Sequence, residues 1–75
     1  MKGLLEYLAC QLVDSPDQVR VQEIEGERSI ILELRVAPED MGKVIGRQGK
    51  TAQAIRTLVK AAGLRENKRV MVEII

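Results

Sequence analysis

The hydrophobic period changes along this chain, and each change marks an element. In "GLLEYLACQLV", residues 3–13, Leu4, Leu5, Leu8 and Leu12 recur at helical spacing, while Glu6 and Gln11 fall elsewhere on the wheel. The spacing predicts a helix over 3–13. Asp14-Ser15-Pro16 ends it, because the proline ring disfavours helical geometry at Ser15. From Val19 the period drops to two. "VRVQEI" puts Val19 and Val21 on one face of a strand, and Glu25-Gly26-Glu27 reads as a turn in which Gly26 is free to take positive φ. "SIILELRV" is the clearest strand: Ile30, Leu32, Leu34 and Val36 alternate with Ile31, Glu33 and Arg35. The two strands are expected to form an antiparallel hairpin.

Helical spacing then returns. Pro38-Glu39-Asp40 suits a helix opening, since proline fixes φ and the acids complement the positive end of the macrodipole. That helix is short, because Gly46 follows closely. "KTAQAIRTLVKAAG" begins a longer one, with Ile55, Leu58, Val59 and Ala62 as its apolar stripe and Gly63 as its stop. In "RVMVEII", Val70, Val72 and Ile74 alternate as a final strand. The order α-β-β-α-α-β predicts an α+β fold, a three-stranded mixed sheet with three helices on one face. The last strand lies parallel to the second through a helical crossover. Leu32, Leu34, Ile55, Val59 and Val72 hold the inward positions. Residues 1–75 form one domain, without repeat or linker.

Size and composition narrow the function. A 75-residue domain buries roughly 60% of its unfolded surface and has no room for a cleft between domains. With 45% hydrophobic and 31% charged residues the chain is globular in composition. Its net charge of +1 conceals an asymmetry. Residues 1–40 carry Lys2, Arg20, Arg28 and Arg35 against nine acids, whereas residues 41–65 carry Lys43, Arg47, Lys50, Arg56, Lys60 and Arg65 and no acid. An anionic ligand responds to that local sign. There is no histidine for acid–base work, and Cys10 sits among leucines as a small core residue. Glu39 and Asp40 lack matching ligands nearby, so neither an enzyme nor a metal or other cofactor is expected. A single cysteine and no apolar run of about 20 residues suggest a complete, cytoplasmic chain without a membrane segment.

"GKVIGRQGKT", residues 42–51, is the candidate site. Its Gly49-Lys50-Thr51 ending resembles a phosphate-binding P-loop, but that motif needs a glycine where this chain has Val44. Gly46-Arg47-Gln48-Gly49 instead joins two helices. Its glycines, lacking Cβ atoms, would let a ligand backbone approach the main chain. The next helix starts near Lys50-Thr51 and offers free N–H groups to an anion. Lys43, Arg47 and Lys50 add charge, and Val44, Ile45 and Ile55 fix the helices around the loop. The candidate binding residues are therefore Lys43, Ile45, Gly46, Arg47, Gln48, Gly49, Lys50 and Thr51. An ordinary tight helix–helix turn is the bland alternative.

"VIGRQGKTAQAIRTLV" resembles the GXXG segment of a KH domain. The helix and strand ahead of a βααβ core resemble the type II, bacterial arrangement. Across all 75 residues the chain is similar to the KhpA family of small single-KH-domain proteins. Ala52 departs from the broader KH pattern, which often has a larger aliphatic residue there. The resemblance implies binding of single-stranded RNA, with about four nucleotides clamped at the glycine loop. It also implies a homodimer, a heteromer with a larger KhpB-like KH protein, and a role as post-transcriptional regulator or RNA chaperone touching cell shape and division. The residues themselves leave two alternatives open: a protein–protein adaptor that kept the fold, or a single-stranded DNA binder. Tyr7 is the only aromatic residue, so recognition dominated by base stacking is excluded.

Overall fold

The computed structural model describes residues 1–75. The two period-2 runs become β1 (Arg20–Glu25) and β2 (Ser29–Arg35). They pair antiparallel, with Val21 opposite Leu34 and Ile24 opposite Ile31. β3 (Arg69–Ile74) joins the other side of β2 in parallel, setting Leu32 beside Val72 and Ile31 beside Met71. The sheet order is β1-β2-β3, as the helical crossover requires. The helices are α1 (Lys2–Leu12), α2 (Met41–Ile45) and α3 (Lys50–Arg65). None is long and apolar enough to cross a membrane.

The core lies between one sheet face and two of the helices. Leu5 and Ala9 from α1, and Ile55 and Val59 from α3, meet Leu32, Leu34, Val70 and Val72. All five residues expected to point inward are buried. α2 packs on α1 and α3 and buries Val44.

Several expectations change in detail. Helix α1 buries Ala9, while Leu12 is exposed. On α3 the inward positions are Ala52, Ile55, Val59 and Gly63, and Leu58 is exposed. The stripe expected through Leu58 and Ala62 is thus rotated toward two small residues, which let helix and sheet approach closely. Gly63 is not the stop. A Cβ there would overlap Val70 Cγ2 and lie 3.1 Å from the Lys68 carbonyl oxygen, so this glycine makes room for β3 beneath the helix. Termination comes about one turn later, at Asn67 with φ 60°. The Lys68 N–H donates to the Gly63 carbonyl at 2.9 Å and the Asn67 N–H to that of Leu64 at 3.1 Å, the paired bonds of a Schellman end. Gly26 does not use positive φ; its N–H donates to the Ser29 carbonyl at 2.7 Å to close the hairpin.

Pro38–Asp40 form a single 3-10 turn ahead of α2, and Asp40 occupies the N-cap position of α2 without a side-chain capping hydrogen bond. It is buried. Its Oδ2 accepts the Ser15 N–H at 3.0 Å, and its Oδ1 faces Lys43 Nζ at 3.7 Å. A buried carboxylate needs such partners. Asp40 thereby ties the α1–β1 connection to the start of α2.

Candidate nucleic-acid interface

The Gly46-Arg47-Gln48-Gly49 loop reverses the chain between α2 and α3 through three residues of positive φ. Gly46 has φ 76° and ψ 174°, Gln48 has φ 56° and Gly49 has φ 73°. The Gly46 N–H closes α2 on the Gly42 carbonyl at 2.8 Å, and the Gly49 N–H closes the loop on the Gly46 carbonyl at 3.1 Å. The conformation at Gly46 is essentially restricted to glycine.

The two glycines do different work. A Cβ at Gly46 would overlap Thr51 Oγ1 and lie 2.7 Å from Thr51 Cβ and 2.9 Å from its backbone nitrogen. The space freed at Gly46 is therefore filled by the first turn of α3, not kept for a ligand. At Gly49 a Cβ would meet nothing. Close approach from outside is thus available at Gly49 alone, a narrower opening than two glycines suggest.

Gly49 is the N-cap of α3, and no side chain caps that end. Arg47, Gln48 and Lys50 around it are exposed. The tip therefore presents two cations, an amide and a helix N-terminus without a competing carboxylate between residues 41 and 65. Ile45 is partly exposed at the end of α2. Thr51 is half-buried against Gly46. Lys43 is drawn elsewhere: its ammonium lies 3.0 Å from Asp14 and 3.7 Å from Asp40. The hydrogen bond and charge of Asp14 raise its pKa above the ordinary lysine value. Of the eight candidate residues, Arg47, Gln48, Gly49 and Lys50 share the open tip, Gly46 and Thr51 support it, Ile45 lies partly exposed beside it at the end of α2, and Lys43 is committed to an ion pair.

One neighbour escaped the sequence reading. Arg56 Nε on α3 donates to the Val72 carbonyl of β3 at 3.3 Å, covering an acceptor on the sheet's open edge. Nothing local marked it, because its partner lies on the edge of a strand formed later in the chain.

Comparison with known proteins gives the family of the chain. Residues 2–74 match the family model described as KhpA/KhpB, KH domain. The chain is 69% identical to the RNA-binding protein KhpA of Clostridium acetobutylicum over the whole of both chains. It is 68% identical to that of Caldanaerobacter subterraneus, again over both whole chains. Identity is 51% with that of Aquifex aeolicus, over all of this chain and 95% of the relative. These relatives are named as RNA-binding proteins, not enzymes. Among solved structures, an Era variant of Aquifex aeolicus bound to GDP.AlF4- superposes with a TM-score of 0.71 at 18% identity. The match covers 97% of this chain but 28% of that longer one, and it speaks for the fold alone. The family-model match and the full-length identity agree: the chain belongs to the KhpA/KhpB KH-domain family.

Proposed function

We propose that this chain binds single-stranded RNA, clamping about four nucleotides at the Gly46–Gly49 loop. The observation that carries the reading is the open tip. Gly49 leaves the main chain accessible in front of an uncapped helix N-terminus, with Arg47 and Lys50 exposed beside it. The names of the relatives support RNA as the ligand. The test is a parallel titration of labelled single-stranded RNA, single-stranded DNA and duplex RNA. Single-stranded RNA should bind best, and contact with about three phosphates gives a log–log salt slope near −2. Equal binding to all three would reduce the site to a generic basic surface. Tighter binding of single-stranded DNA would reassign the ligand.

The protein acts in this reading as a cytoplasmic homodimer. Ala54, Leu58 and Ala61 lie exposed along α3, outside the stripe that meets the sheet; the two small alanines suit close approach of a second helix, and Leu58 supplies apolar surface to bury. A larger KhpB-like KH partner would use the same face. Two loops on one RNA would raise avidity by roughly 10²–10⁴, which suits a post-transcriptional regulator or RNA chaperone. Sedimentation at micromolar concentration should give the mass of a dimer, and a monomer mass would remove this part of the proposal.

A further inference from the structure

The widest hollow on the molecule is not at the glycine loop. It is a cavity of about 690 Å³ beside the C-terminal half of α3 and the start of β3. Arg28 after the hairpin turn, Lys60 on α3, and Lys68 and Arg69 entering β3 converge on it, with Leu64 and Met71 as apolar wall. No acidic side chain lines it. The parallel register explains the convergence: Ser29 lies beside Arg69, and the Arg69 N–H donates to the Arg28 carbonyl at 2.9 Å.

Like charges gathered around one hollow repel unless an anion joins them. Lys68 has its anion already, Glu25 at 3.1 Å. Arg28, Lys60 and Arg69 have no ion-pair partner. An adjoining hollow of about 470 Å³ shares Arg28 and Lys68 but includes Glu27 and Glu66, so its charge is balanced. The larger hollow alone offers unpaired cations beside exposed apolar surface, with Leu64 74% and Met71 50% exposed. Phosphate joined to a sugar and a base has that mixed character.

The hollow also lies in line with the loop. From Lys50 to Leu64 the axis of α3 rises about 21 Å. Arg56, Lys60 and Leu64 follow one another at one-turn intervals, and the bond from Arg56 to Val72 shows that this side overlooks the open edge of β3. We infer that the hollow is a second phosphate-binding site, which takes the backbone of the RNA strand continuing past the glycine loop. At about 3.4 Å per phosphate in a stacked strand, roughly six phosphates separate the two sites. The footprint therefore exceeds four nucleotides. This inference rests on the RNA-binding reading of the loop.

The experiment compares RNAs of about four and about ten nucleotides on the wild-type protein and on the triple variant Arg28→Gln, Lys60→Gln, Arg69→Gln. Wild type should bind the longer RNA about tenfold more tightly. The triple variant should lose that advantage, flatten the salt slope by about 0.7 for each phosphate contact removed, and keep its affinity for the short RNA. Arg28→Lys with Arg69→Lys, which retains the charges, should preserve most of the advantage. Should the triple variant melt early, Lys60→Glu alone gives the same comparison from one exposed helix position. Equal weakening for both lengths, or an unchanged affinity for the longer RNA, overturns the inference. So does binding of adenosine monophosphate that the triple variant loses without any change toward the longer RNA, which would assign the hollow to a free nucleotide. Failure of the loop reading looks different: the short RNA does not bind wild type, while the triple variant still weakens the longer one.

Discussion

The double substitution Arg47→Asp, Gln48→Asp is expected to abolish RNA binding and leave the fold in place. Both side chains are exposed at the loop tip, so stability should change by no more than about 0.5 kcal/mol. Gln48 has φ 56°, a conformation aspartate tolerates well, so the backbone does not oppose the change. For the ligand the effect is large. One cation is lost and two carboxylates face the phosphates, beside the helix end that would otherwise attract them. Circular dichroism and thermal melting report the fold, and titration with labelled RNA reports the site. Lys50→Ala should weaken binding less and flatten the salt slope by less than about one unit. Lys2→Ala, at the start of α1, should do neither. RNA affinity that persists in the folded double variant would defeat the assignment of this loop.

Leu34→Ala should remove much of the protein's stability. Leu34 is 0% exposed in the central strand, with Val21 and Ile74 as its neighbours in register. Emptying such a position costs about 2–5 kcal/mol, against a total of about 5–15 kcal/mol for native domains. At about 4–8 °C per kcal/mol for a domain of this size, the melting midpoint should fall by about 10 °C or more. Arg35→Ala, at the exposed next residue of the same strand, is the control and should leave the midpoint nearly unchanged. An equal fall in both, or none in either, would mean that burial at Leu34 does not set the stability.

Strand phase was legible in the sequence because large β-branched and leucine side chains keep a period of two, so Leu34 and Val72 could be placed from local pattern. The inward face of α3 was less legible. Ala52 and Gly63 bury little apolar surface of their own, and hydrophobic spacing therefore favoured Leu58 over them. Glycine is also ambiguous near a helix end: Gly63 reads as a stop, yet its role is set by Val70, which arrives from the following strand. Asp40 shows the same limit, since the N–H that it accepts belongs to Ser15, 25 residues earlier. The loop could be found because it is contiguous. The basic hollow could not, because Arg28 meets Lys60 and Arg69 only once β2 and β3 pair.

The unequal roles of Gly46 and Gly49 turn the motif into two separate records when relatives are compared. Gly46 is held by the chain's own packing, because any side chain there must displace the first turn of α3. Its presence testifies to the junction between α2 and α3, whatever the protein binds. Gly49 has open space above it and a left-handed backbone that asparagine also adopts readily. A lineage released from its ligand would be free to replace the second glycine with asparagine while still retaining the first. Gly46 without a small residue at position 49 is thus the signature to look for in a descendant that has kept the architecture and abandoned the clamp.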